Sequence, residues 1–218
     1  MSARPQLQAK TLFTVEAYLA FEREAEERHE YLDGVIYTMV SESPEHADIS
    51  ANLIYMLASQ LREKPWRVRF NSTKVFSGSP LLAQLRKSRK GLFSYPDIVV
   101  ICEEPRYLDH HRDVLMNPQV LIEALSDSTE AFDRGAKFIR YRKALPSLTD
   151  YILVWQKLPL IEHFIRQADG NWLMVTAIGL DASLGITSLG CSLELSEVYR
   201  LVEFPPEEIE PMEEEQGD

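Results

Sequence analysis

Apolar residues recur along the chain with two periods, and the switches between them mark out the elements. Over 14–27, Val15, Tyr18 and Leu19 repeat at helical spacing among acids, with Thr14 in the N-cap position. Asp33-Gly34 is a turn signal, and 35–40 reads as a strand. Behind Pro44, Ile49, Leu53, Met56, Leu57 and Leu61 form the stripe of a helix over 45–63, which Pro65 stops. Alternation over 66–76 predicts a strand with Val68, Phe70, Ser72, Lys74 and Phe76 on one face, and 77–90 reads as a mobile loop. Residues 95–102 and 120–125 are almost uniformly apolar, the pattern of strands covered on both faces, with a polar excursion over 105–118 between them. A helix over 132–145, with Phe132, Ala136 and Ile139 facing the sheet, ends at Pro146. Strands follow at 151–155, 161–165 and 172–177, the last two joined through Asp169-Gly170. A short strand at 192–195 and a helical turn through Leu201 close the pattern. The strand–helix–strand run over 118–155 predicts a parallel crossover. Helices bracketing apolar strands predict one α/β domain, a mixed central sheet flanked by helices on both faces.

Composition confirms a folded chain and then complicates the choice of partner. With 218 residues, 45% of them hydrophobic, there is enough apolar material for a sizeable core. The net charge of −11 argues against a nucleic-acid partner until it is located. Eight of the 34 acids lie in 203–218, leaving 26 acids against 23 bases elsewhere. Residues 62–90 hold nine bases and one acid, and Arg134, Lys137, Arg140, Arg142 and Lys143 form a second basic cluster. The expected organisation is an N-terminal extension (1–13), one domain (14–202) and a disordered acidic tail (203–218). No run of about 18 apolar residues is present and the first ten residues lack a secretion signal, so the expectation is no membrane contact and a cytoplasmic setting. Cys102 and Cys191 are too few for a disulfide framework, and His110-His111 has no spaced partner for zinc.

Two of the apolar strands carry an acid. Alternation puts Asp97 on a face with Tyr95, Val99 and Ile101, and Glu123 with Leu121 and Leu125. A carboxylate in such surroundings costs several kcal/mol, of the order typical for buried ions, unless it is compensated. A divalent cation compensates it, and so does an Arg or Lys partner; Asp97 could equally cap a turn. Magnesium takes one or two protein carboxylates and completes its octahedron with water and phosphate oxygens. Such an ion activates water and neutralises charge growing on a phosphate.

Pro96-Asp97 followed by Glu123-Ala124-Leu125 resembles the PD-(D/E)XK arrangement of restriction-endonuclease-like nucleases. The wider set is similar to the Uma-two family of endonucleases within that superfamily: Glu30-Tyr31-Leu32-Asp33-Gly34, Ser43-Pro44-Glu45-His46, Tyr95-Pro96-Asp97-Ile98-Val99-Val100, Ile122 to Thr129, Asp133-Arg134-Gly135-Ala136-Lys137-Phe138 and Pro146 to Tyr151. The likeness spans roughly Thr14 to Leu201. It implies a restriction-endonuclease-like fold and an endonuclease acting on DNA, with Mg2+, or Mn2+ in its place, held by Asp97 and Glu123. Cutting both strands needs two active sites, so a homodimer is expected. The motif's lysine position is Leu125, which cannot handle a proton. The resemblance implies that Lys137, on the following helix, takes over, with Lys74 as the rival. It further implies that Glu30, at the end of the first helix, reaches the metal. His46, in a first helical turn, could bind phosphate or carry protons. Arg134, Arg140, Arg69 and Lys87 are the bases expected on backbone phosphates. The competing reading is a nuclease-like fold that binds a nucleic acid or a protein and cuts nothing.

Overall fold

The computed structural model describes residues 12–39, 41–78 and 87–205; most of the expected N-terminal extension and acidic tail, and part of the basic loop, lie outside them. The elements in chain order are α1 (Val15–Glu24), β1 (His29–Leu32), β2 (Val35–Thr38), α2 (Pro44–Gln60), β3 (Arg67–Phe70), β4 (Lys74–Ser77), β5 (Leu92–Ser94), β6 (Ile98–Ile101), β7 (Val114–Leu115) and β8 (Val120–Leu125). A continuous helical stretch follows: α3 (Glu130–Phe132), a π-helical turn (Asp133–Lys137) and α4 (Phe138–Ala144). Then come β9 (Asp150–Trp155), β10 (Leu160–Arg166), β11 (Trp172–Ile178), β12 (Ser183–Ile186), β13 (Cys191–Glu194) and α5 (Leu195–Val198).

Local chemistry sets the element ends. The Thr14 hydroxyl accepts from the Ala17 N–H at 3.2 Å and caps α1. Ser43 does the same for α2 through the His46 N–H at 3.1 Å, with Pro44 in the first helical position. Asp33 (φ 47°) and Gly34 (φ 101°) both take positive φ, the conformation that closes the tight β1–β2 hairpin.

The central sheet has six strands in the order β11-β10-β9-β8-β6-β3 and is antiparallel except between β8 and β9. That parallel pair, joined through the helix between them, is the expected crossover. One face of the sheet (Ile98, Val100, Ile122, Ile152, Val154) buries Ile49, Leu53 and Leu57 of α2. The other (Val99, Leu121, Leu125, Tyr151, Leu153) buries Phe138 and Tyr141 of α4. Each such side chain contributes about 1.5–3 kcal/mol on full burial. The fold is thus the expected mixed α/β one. A five-stranded sheet, β2-β1-β5-β4-β7, adds a third packing centre in which Tyr18 of α1 meets Tyr31, Phe76 and Phe93.

Three expectations are corrected. The first helix ends at Glu24, and Glu30 sits on β1 instead of on a helix end, because 29–38 forms the hairpin. The strand expected over 66–76 breaks at Asn71–Ser72 into β3 and β4, which join different sheets, so Lys74 does not share a face with Val68 and Phe70. In the helix after β8, Asp133, Lys137, Phe138 and Tyr141 are buried while Ala136 and Ile139 are exposed. The π-helical turn takes up one residue more than an α-turn and shifts the stripe.

Candidate active site

The register that sets Ile98 opposite Ile122 brings Asp97, just before β6, alongside Glu123 of β8. Both lie at the mouth of the central sheet on its α4 side, and both are buried, 9% and 4% exposed. The Ala124 N–H donates to Asp97 Oδ2 at 2.7 Å, so the β8 backbone itself holds Asp97. Its other oxygen accepts from His46 Nε2 at 2.9 Å. His46 is oriented from behind. Its Nδ1 faces Gln156 Nε2 at 3.1 Å, and Gln156 Oε1 accepts from the Ser43 hydroxyl at 2.9 Å. This chain assigns the ring proton to Nε2, pointing at Asp97. Burial pulls the His46 pKa down, but the Asp97 hydrogen bond and the Asp97 and Glu42 charges raise it above its ordinary value.

Lys137, 4% exposed, enters from the π-helical turn. Its Nζ lies 2.9 Å from Glu123 Oε1, 3.0 Å from Asp133 Oδ1 and 3.5 Å from Glu30 Oε1. The Tyr141 hydroxyl donates to Glu123 Oε1 at 3.3 Å and shares a 2.7 Å hydrogen bond with Ser94. The Tyr151 hydroxyl donates to the Asp133 carbonyl at 3.1 Å, giving the turn a hydrogen bond from β9. One ammonium therefore stands among three carboxylates, with Asp97 adjoining. Burial, Asp133 and Asp97 outweigh the lysine and hold Glu123 well above the usual carboxylate range. For Lys137 burial works downward, yet Asp133, Glu123 and Glu30 raise it well above the ordinary lysine value, so it stays an ammonium.

Glu30, His46, Asp97, Glu123 and Lys137 line one cleft of about 520 Å³ together with Glu42, Asp133 and Gln156. The surplus of hard oxygen donors over positive charge fits a divalent cation. Glu42, His46 and Asp97 also offer ligand atoms all within 4.8 Å of one another. Asp109, His110 and His111 do so too, but there Asp109 is already bound by Arg23 at 2.8 Å.

Lys74 lies elsewhere, lining a separate cavity beyond Tyr95. Arg134 pairs with Glu130 at 3.1 Å and with Glu162, and Arg140 pairs with Asp33 at 2.5 Å. Arg69 donates to the Tyr107 hydroxyl at 2.6 Å, and Lys87 is exposed. Sequence reasoning missed Asp133 as a member of the cleft, although its place four residues before Lys137 was a visible signal. It also missed Gln156 and Glu42, for which nothing local gives a signal.

Carboxylates brought to one cleft from β8 and from just before β6 of a mixed sheet, with a lysine brought in on the crossover helix, sit on a restriction-endonuclease-like fold. The chain belongs to the Uma2 family, described as "Putative restriction endonuclease", whose model matches residues 15–196. It is similar to two uncharacterized proteins of Synechocystis sp.. One, slr1290, is 32% identical over 189 residues, 87% of this chain and 92% of that protein. The other, sll1609, is 28% identical over 173 residues, 79% of this chain and 92% of that protein. The crystal structure of a putative nuclease belonging to DUF820 from Anabaena variabilis shares the fold, with a TM-score of 0.66 at 16% identity over 86% of this chain and 97% of that one.

Proposed function

We propose that the protein is a divalent-metal-dependent endonuclease that hydrolyses phosphodiester bonds of DNA, with Asp97 and Glu123 holding the ion and Lys137 positioning the attacking water. The observation that carries this reading is the 2.9 Å contact between Lys137 Nζ and Glu123, which supplies the motif's missing cation from a helix while Leu125 occupies its strand position. A magnesium ion, or manganese in its place, would make the attacking water more acidic and offset charge on the phosphoryl oxygens. Lys137 is a fixed donor: held as an ammonium, it orients the water and stabilises the phosphoryl oxygen charge without abstracting a proton. Water adds to phosphorus and the bond to the leaving oxygen breaks. The water proton is lost to the carboxylate cluster or solvent, and the leaving alkoxide takes one from solvent. His46 and the Ala124 N–H fix Asp97, and Glu30 lies close enough to Lys137 to share its orientation.

Cutting both strands of a duplex requires two such sites, and a two-fold homodimer provides them. The setting is cytoplasmic, in keeping with two free cysteines; among the described residues no helix is long and apolar enough to cross a membrane. The test is nicking of supercoiled plasmid in Mg2+ or Mn2+. Asp97→Ala, Glu123→Ala and Lys137→Met are each expected to reduce it by about 10²-fold or more, the scale of losing a transition-state contact. Undiminished nicking in Glu123→Ala removes the assignment. Leu125 in place of the motif lysine favours the second reading, a binder that cuts nothing; it predicts DNA retention indifferent to all three substitutions and no metal-dependent nicking.

A further inference from the structure

On the far side of Tyr95 from the cleft lies a second cavity of about 550 Å³. Lys74 lines it and is 3% exposed. For a buried ammonium it is poorly compensated. Its one ion pair among the described residues is with Asp113 Oδ2 at 3.6 Å, and it otherwise faces the rings of Tyr18 and Tyr95 at 5.5 and 5.7 Å. Asp113 is in turn committed to Arg23, which grips it through Nε at 3.0 Å and Nη2 at 2.9 Å. The other lining acid, Glu22, accepts from the His29 N–H at 3.0 Å and the Tyr95 hydroxyl at 2.7 Å. Both acids thus have their partners, while the cations are in excess. Arg69 and Arg112 also line the cavity, and among the described residues the side-chain contacts of both are with Tyr107, not with a carboxylate. Their guanidinium carbons lie 5.7 and 5.1 Å from its ring centre. Two such guanidiniums at the mouth and a buried ammonium within form a built anion site, since planar forks and a compact cation are the groups that bind phosphate oxygens.

We propose that this cavity is a phosphate-binding subsite that holds a phosphate of the nucleic-acid strand lying in the adjoining cleft. The nature of the ligand rests on the nuclease reading; the cavity's preference for an anion does not. A phosphate can reach it from inside a strand, as a diester, or at a cut end, as a monoester. Either would lie across Tyr95 from the carboxylates, so the ring separates the anchored phosphate from the cleft.

The test is fluorescence anisotropy in EDTA, where nothing is cut, using 3′-fluorescein oligonucleotides that carry either a 5′-phosphate or a 5′-hydroxyl. The full-length protein is compared with Arg69→Gln, Arg112→Gln and Lys74→Met. Each variant is expected to bind about tenfold more weakly and to flatten the salt dependence of log Kd by about one unit, as the loss of one phosphate contact does. Equal losses on both oligonucleotides assign the subsite to an internal diester; losses confined to the 5′-phosphorylated one assign it to a terminal monoester. Arg112 is exposed, so Arg112→Gln carries the test if Lys74→Met does not fold. Wild-type affinity and salt slope in folded Arg69→Gln and Arg112→Gln overturn the subsite. If the same protein still nicks plasmid in Mg2+, the nuclease reading survives that result. A wild-type chain that binds neither oligonucleotide overturns both.

Discussion

Replacing Glu123 with Gln removes one of three carboxylates crowded around a single ammonium. The metal-free protein is therefore expected to gain roughly 1 kcal/mol of stability while losing its nicking, a trade of activity against stability. The sign follows from the raised carboxyl pKa. A folded chain that keeps a proton the unfolded chain releases loses stability as pH climbs above about 4.5, the ordinary glutamate value, until the folded pKa is passed. Thermal melts in EDTA across pH 4–8 should show that decline in wild type and a flatter profile in Glu123→Gln. Asp150 behaves oppositely. Despite burial its pKa is depressed by hydrogen bonds from His163 at 2.7 Å, Ser188 and Thr149, so its contribution is present above about pH 4 and lost as pH falls through the depressed value. Asp150→Asn is expected to cost about 2–3 kcal/mol at pH 7, the scale of breaking a buried charged hydrogen-bond set, measured by urea unfolding. Asp97 and Glu123 were legible in the sequence because an acid breaks an apolar strand. Gln156 and Glu42 were not, since side chains brought together by the folded chain leave no local pattern.

The π-helical turn is the element on which the cleft depends. An α-helical period applied to 132–145 buries Phe132, Ala136 and Ile139 and leaves Lys137 at a polar edge; the structure buries Asp133 and Lys137 and exposes Ala136 and Ile139. One additional residue in a turn rotates everything beyond it by about 100° relative to what precedes it, which a periodic reading cannot anticipate. Deleting Ala136 is expected to return the stretch to α-geometry, keep the far-UV circular dichroism of the fold and reduce nicking by about 10²-fold, because Lys137 then stands three residues instead of four from Asp133 and its aim at Glu123 changes. Nicking at the wild-type rate in that deletion would show that the turn does not position the lysine.

At the level of the whole molecule, the central sheet was readable and the five-stranded sheet was not. Long apolar strands and an intervening helix announce a parallel crossover, and β8–helix–β9 is one. By contrast β1, β5 and β7 have four, three and two residues, and apart from the β1–β2 hairpin their pairings reach across the chain. Too short to show a period, they are specified by their neighbours. That smaller sheet nevertheless carries Glu30 into the cleft, so its lining comes from both sheets.

Lys137, buried against Glu123, Asp133 and Glu30, occupies electrostatically the place an incoming metal would take. On the proposed metal reading, an ion entering the cleft would compete with this tethered ammonium, which never diffuses away. Calorimetric titration with Mn2+ is therefore expected to show weak binding by wild type and tighter binding by Lys137→Met, a variant expected to nick poorly. On the proposed function, the side chain that would orient the water would also hold the cleft against stray ions.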